Sequence, residues 1–257
     1  MQAALHSRVL QRLLTVIVQS NRSTLSLGKQ GFLASNSLTT VCMLLSVFVL
    51  FPEYFMQRAL AEQPRVNIST SLGNIVVELD ADESPLGVAN FLKYVDDGSY
   101  VGTIFHRVIP DFLVQAGGYR LDLSDVEKGD MIVNEADNGL FNIAGTIAYA
   151  RNDEIDSAGR QFFINTRDNA SLDHSPESCS RKDEKSRLRA LERGLNKPQT
   201  CQTFGYAVFG HVVSGMAVVV TMSEVPTSFK GDMADLPDIP ITINAMTRLK
   251  AVTVESK

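Results

Sequence analysis

The fourteen residues from Phe105 to Gly118, FHRVIPDFLVQAGG, constrain the fold more than any other stretch of the chain. Two runs of Phe, Val, Ile and Leu flank Pro110-Asp111, a turn pair between β-forming segments, so the stretch reads as a hairpin. On the two-residue period of a strand, Phe105, Arg107 and Ile109 share one face, and Leu113 and Gln115 share a face after the turn. Folding the hairpin brings Arg107, Leu113 and Gln115 to one patch. An arginine on such a surface is either an edge-strand charge that discourages aggregation or a group kept there for chemistry. His106 is expected to point opposite to Arg107 and to serve structure.

The run FHRVIP followed by F-x-x-Q-x-G-G is similar to the signature of the cyclophilins, a family of peptidyl-prolyl cis/trans isomerases. The segments NEADNGLFN, GTIAYAR, QFFIN, NASLDH and FGYAVFG follow in cyclophilin order, and together they cover most of residues 64 to 250. The pairing of NEADNGL with FGYAVFG most resembles the secreted, periplasmic cyclophilins of bacteria. The fold this implies is all-β dominated: a closed eight-stranded antiparallel barrel with a helix over each opening.

The local pattern agrees with that expectation. Val66 to Thr70 and Ile75 to Leu79 are β-rich runs joined by the turn Leu72-Gly73-Asn74. Ser84-Pro85 supplies an N-cap and a first-turn proline for a helix whose apolar face holds Phe91, Leu92, Tyr94 and Val95, with Gly98 as its stop. Further strands fit Thr146 to Ala150, Gln161 to Asn165 and Tyr206 to Val213. A second helix fits Gly215 to Ser223, and Ile239 to Val254 reads as the closing strand.

Residues 1–61 read as an export signal or membrane anchor, and 62–257 as the isomerase-like domain. No Asp or Glu precedes Glu53, while Arg8, Arg12, Arg22 and Lys29 lie before an apolar run from Val41 to Phe51. A positive region, an apolar core and Ala59-Leu60-Ala61 as a small-residue cleavage site make up the layout of a signal peptide. The rivals are an uncleaved tether, with the N-terminus held in the cytoplasm by its charges, and an organellar transit peptide. The bacterial resemblance makes the periplasm the expected location. The formal charge of −5 and the absence of a concentrated basic face exclude nucleic acid as a partner.

An insertion occupies about 175–203, where bacterial cyclophilins have only a short loop. Arg181 to Arg193 is rich in helix formers, and Gly194 and Pro198 end the run. Cys179 and Cys201 flank it and are the pair placed to close it as a disulfide in an oxidising compartment. Its mixed charges read as a solvated surface insertion, with contact to a client as the alternative.

An X-Pro amide rotates slowly because resonance holds it planar, with a barrier of about 18 to 20 kcal/mol. A site speeds rotation by seating the proline ring away from water and offering a fixed donor to the imide nitrogen, whose lone pair appears as resonance is lost. Arginine suits the second task, being always charged and rigidly arrayed. Carried over from the family, Arg107 is that donor, and Phe112, Leu113, Phe163 and Leu172 form the proline pocket. Gln115 bonds the substrate backbone or orients Arg107. Ala150, Arg151 and Asn152 form the rim along the extended peptide, Gln161 supports the site from behind, and Tyr206 completes the wall.

Leu113 replaces a frequent methionine at similar volume. Ser171 stands where cyclosporin-binding members carry tryptophan, leaving that wall smaller and wetter. The resemblance implies proline-containing polypeptides as partners, a monomer, and neither cofactor nor metal. No C-x-x-C, H-E-x-x-H or G-x-S-x-G spacing offers another chemistry. The rival from another class is a noncatalytic holdase that grips client segments on the same barrel.

Overall fold

The computed structural model describes residues 63–175, 179–195 and 201–250. The segment read as a signal or anchor lies outside them, as does the expected end of the last strand beyond residue 250.

Eight strands close into a barrel in which every neighbouring pair is antiparallel: β1 (Arg65–Thr70), β2 (Gly73–Leu79), β3 (Thr103–Ile109), β4 (Leu113–Arg120), β5 (Thr146–Tyr149), β6 (Phe162–Asn165), β7 (Val208–Ser214) and β10 (Ile241–Leu249). Their order around the barrel is β1-β10-β3-β4-β6-β5-β7-β2. Strand alternation supplies the interior: Val66 and Ile68 of β1, and Ile75, Val77 and Leu79 of β2, are fully buried. Closure pairs β3 with β4 on one side and, through Ile104 and Phe105, with β10 on the other.

Helix α1 (Pro85–Asp96) buries Val88, Phe91, Leu92 and Val95 at helical spacing. Its Phe91 ring meets Tyr100, Phe162 and Phe209 at centroid distances of 5.5, 5.5 and 5.1 Å, which stacks helix on barrel through aromatic contacts. Ser84 precedes this helix as expected, but its hydroxyl does not cap it. It donates instead to Glu135 at 2.8 Å, and that carboxylate accepts the backbone N–H groups of Leu86 and Gly87 at 3.1 and 2.8 Å. An anion with two acceptor oxygens satisfies more of the orphan donors at a helix N-terminus than a hydroxyl can. Helix α3 (Met216–Ser223) packs on β2, β3 and β4.

One feature exceeds the expected plan, and the helix expected in the insertion is present. A two-stranded ribbon, β8 (Thr227–Lys230) and β9 (Met233–Pro237), stands apart from the barrel sheet and packs β9 against β3. The insertion carries helix α2 (Arg181–Glu192), opened by a capping box between Ser180 and Asp183.

The insertion is not simply solvated. Glu184 is buried and accepts the Ile155 N–H at 2.8 Å, and the Arg181 guanidinium lies 4.8 Å from the Phe204 ring. Cys179 and Cys201 are bonded, with Cα atoms 5.5 Å apart, and pack in an apolar cluster with Ala136, Ile155, Phe204 and Ala207. One helix face thereby becomes a second layer behind the loop that follows β5. A separation of 22 residues makes the bridge worth about 3 kcal/mol of loop-closure entropy, or roughly a hundredfold in the local opening equilibrium. Replacing both cysteines by serine is expected to speed amide exchange in α2 by that factor while leaving the barrel amides unchanged. Equal exchange of α2 in both proteins would refute the assignment.

Candidate active site

The β3–β4 hairpin turns at Ile109-Pro110-Asp111-Phe112, closed by the Phe112 N–H donating to the Ile109 carbonyl at 3.2 Å, with Asp111 at φ 52°. Proline fixes the second turn position, and aspartate tolerates the left-handed third. From this turn the register sets Ile109 opposite Leu113 and Arg107 opposite Gln115. Between Arg107 and Phe105 the register slips, because Phe105 pairs with Ala116. Two residues of β3 thus face one step of β4, as in a bulge.

The slip overturns two expectations about side-chain direction. Phe105, of the same parity as Arg107, is fully buried in the main core. His106 does not point to the opposite side: it lines the same cleft as Arg107, with its ring 4.6 Å from that of Tyr119. It is buried, its Nδ1 has no hydrogen-bond partner among the described residues, and burial pushes its pKa down to about 4.

That burial has a consequence for stability. Folded His106 stays neutral down to about pH 4, whereas an unfolded histidine protonates near 6.5, so acid between those values favours the unfolded chain. Stability is therefore expected to be full above pH 6.5 and to fall by up to about 3 kcal/mol toward pH 4. His106→Phe is expected to flatten that slope, as read from urea midpoints at pH 7 and pH 5. Parallel pH dependence in both proteins would discount His106 as its source.

The polar side of the site is a cleft of about 560 Å3. Arg107, Gln115, Gln161, Ala150, Arg151 and Asn152 line it from the barrel, and Met233 does so from the ribbon. Gln115 Nε2 donates to Gln161 Oε1 at 2.9 Å, which joins β4 to the residue just before β6. Gly118 makes room for this arrangement, since a Cβ there would collide with the Gln161 side chain. The Arg107 side chain is 42% exposed, and its Nε lies 3.8 Å from the Asp235 carboxylate.

The apolar side is a separate cluster. Leu113, Ala148, Phe163 and Val208 are buried in it, and Phe112, Ala150, Leu172 and Tyr206 pack against them partly exposed. Phe163 and Tyr206 meet edge to face at 5.9 Å. Gln115 and Phe163 are register partners on β4 and β6, and Ala150 touches both regions, so cleft and cluster adjoin across two strands.

The Arg151 side chain, which lines the cleft, is held by main-chain carbonyls. Its Nε donates to the Gly205 carbonyl and its Nη2 to the Cys201 carbonyl, both at 2.9 Å, while its guanidinium lies 4.9 Å from the Tyr206 ring. It links the cleft rim to the disulfide-closed insertion.

Three buried asparagines, assigned no role from sequence, fasten the pocket walls. Asn169 donates to the Phe112 carbonyl at 2.8 Å and to Asn165 at 2.7 Å, and Asn165 donates to Asn142 at 3.1 Å. Asn142 in turn donates to the carbonyls of Leu172 and Tyr206, each at 3.2 Å. Such a network persists in a low-dielectric interior because each amide satisfies another. The sequence signal was there: Asn165 ends the apolar strand QFFIN, where an amide needs a partner. The ribbon also had one, since Gly231-Asp232 between Lys230 and Met233 is a two-residue hairpin turn. Among the described residues no cluster of His, Cys, Asp or Glu could hold a metal, and no helix is long and apolar enough to cross a membrane.

Comparison with known proteins gives one consistent result. Residues 65–248 match the family described as cyclophilin type peptidyl-prolyl cis-trans isomerase/CLD. The chain is 40% identical over 213 residues to peptidyl-prolyl cis-trans isomerase A of Dickeya dadantii strain 3937, covering 83% of this chain and 97% of that one. It is 38% identical over 182 residues to peptidyl-prolyl cis-trans isomerase B of Escherichia coli K12, covering 71% and 98%. A crystal structure of a Cryptosporidium parvum cyclophilin-type isomerase superposes with a TM-score of 0.54 at 20% identity, covering 74% of this chain and 99% of that one. A second, determined in the presence of the dipeptide Ala-Pro, gives 0.53 at 21% identity, covering 73% and 99%.

Proposed function

The chain belongs to the cyclophilin-type peptidyl-prolyl cis/trans isomerases, and we propose that it catalyses rotation about X-Pro bonds in exported polypeptides with Arg107 as the donor to the imide nitrogen. The observation that carries this reading is the adjacency of a cationic cleft, with Arg107 opposite Gln115, to the apolar cluster of Phe112, Leu113, Phe163 and Leu172.

A proline ring seated on that cluster leaves water, and its imide nitrogen is offered to the neighbouring guanidinium. In the planar ground state the nitrogen lone pair is delocalised and accepts poorly. As the amide twists the lone pair localises, and the hydrogen bond from Arg107 strengthens in the transition state alone, which is the condition for acceleration. A millionfold rate increase needs about 8 kcal/mol, within reach of one charged donor together with desolvation. Gln115, braced by Gln161, supplies a donor or acceptor for the peptide backbone, and Ala150 and Asn152 border the extended chain. No nucleophile or proton relay enters this scheme.

The test is a protease-coupled isomerisation assay on an Ala-Pro peptide, with wild type and Arg107→Ala compared against the uncatalysed rate. Equal background rates in both would reject catalysis and favour a noncatalytic holdase. The export reading rests on the charge layout of residues 1–61 and on similarity to bacterial isomerases. N-terminal sequencing of the protein from a cell-envelope fraction tests it: a start at Glu62 supports cleavage, and an intact start in the membrane supports a tether.

A further inference from the structure

Arg107 is a long side chain, 42% exposed, from which the proposed chemistry requires one orientation. Free rotamers would spread its charge over several directions, and holding such a chain in one well costs entropy that some contact must offset. Among the described residues its guanidinium makes one ion pair, to Asp235, and no hydrogen bond. The partner comes from outside the barrel sheet, on β9 of the ribbon.

The ribbon is built so that this carboxylate reaches the site. Between Met233 and Leu236 three steps of β9 face two of β8, and Asp235 sits inside this bulge. Met233 lines the cleft, whereas Leu236 is buried and lines a second cavity together with Ile104 and Phe105 of β3. Packing of β9 on β3 holds the ribbon beside the strand that carries Arg107. Asp235 itself sits at φ 59°, a left-handed conformation that disfavours most side chains and that aspartate and asparagine tolerate.

We propose that Asp235 is a positioning residue for Arg107: its carboxylate engages the Nε edge of the guanidinium and leaves the terminal nitrogens to face the bound imide. The proposal rests on the reading of Arg107 as donor. It makes the ribbon a functional part of the enzyme, and it predicts that losing the carboxylate slows the bond rotation without weakening peptide binding.

Asp235→Asn is nearly isosteric and keeps the left-handed backbone, and Asp235→Gly removes the carboxylate while relaxing that backbone. Both are expected to lower kcat by roughly tenfold or more, as a small misplacement of a catalytic group does, with KM for the peptide and the thermal midpoint held near wild type. A merely structural Asp235 would instead divide the two variants, because their backbone effects differ. A kcat near wild type in either variant, a loss that appears in KM instead, or a loss that follows a lowered thermal midpoint overturns the proposal. Arg107→Ala in the same assay separates the two ideas. If it retains activity, the donor reading fails; if it is inactive while Asp235→Asn is not, only the positioning role fails.

Discussion

Arg107→Ala is expected to lower kcat/KM for X-Pro isomerisation by roughly two to three orders of magnitude, the loss typical when one preorganised donor to a developing charge is removed. The fall should lie mainly in kcat, because the proline ring still finds the apolar cluster of Leu113 and Phe163, and ground-state binding there does not need the guanidinium. Stability should change little. The side chain is 42% exposed and its ion pair with Asp235 is partly in water, where such pairs contribute weakly. Arg107→Lys separates charge from geometry: it keeps the cation but loses the planar fork, so a loss approaching that of alanine would show that donor direction matters. Activity of the alanine variant within about threefold of wild type would end the case for Arg107 as the donor, since each tenfold in rate is about 1.4 kcal/mol of transition-state stabilisation.

The largest effect on stability is expected two strands away, at Phe162. This ring is fully buried and meets Phe91, Tyr100 and Phe105 at centroid distances of 5.5, 5.4 and 6.3 Å, near-perpendicular in each case. Edge-to-face contacts of this kind add to the burial of the ring itself. Phe162→Ala leaves a cavity among aromatic groups that relax only partly, so about 3 to 5 kcal/mol of stability should be lost. The measurement is the urea midpoint at constant slope, and a loss under about 1 kcal/mol would mean that the core repacks around the gap. Its neighbour Phe163 belongs instead to the apolar cluster that adjoins the cleft. One step along β6 therefore separates a residue of the main core from one of the cluster beside the cleft, as the two-residue period requires.

Export, if it occurs as proposed, places the molecule where Cys179 and Cys201 remain oxidised. The bridge then also supports the cleft rim, because the Cys201 carbonyl accepts from Arg151. The Arg151 guanidinium is thus one link between the insertion and the cleft.

Much of the fold was legible because its signals are local. The hairpin turn at Pro110-Asp111, the alternation in β1 and β2, the apolar face of α1 and the helix-forming run of α2 each depend on residues within a few positions of one another. The cluster of Phe112, Leu113, Phe163, Leu172 and Tyr206 followed from family resemblance, since nothing in those segments alone says that they meet. Ser84 shows the limit of local reading: its type and place announced a cap, yet a carboxylate at Glu135, distant in the chain, competed for the same N–H groups and took them.

From the amino-acid order alone came the strand and helix segments, the turn of the central hairpin and, by resemblance, the chemistry class. Tertiary structure alone decided three things about the site: that β3 slips register at His106, that the asparagines 142, 165 and 169 bind the pocket walls together, and that Asp235 reaches Arg107. The reason is physical. Turns and periodicity are set by backbone preferences of neighbouring residues, whereas a bulge, a buried amide network and an ion pair between distant segments are settled only when barrel closure fixes which surfaces must share one interior.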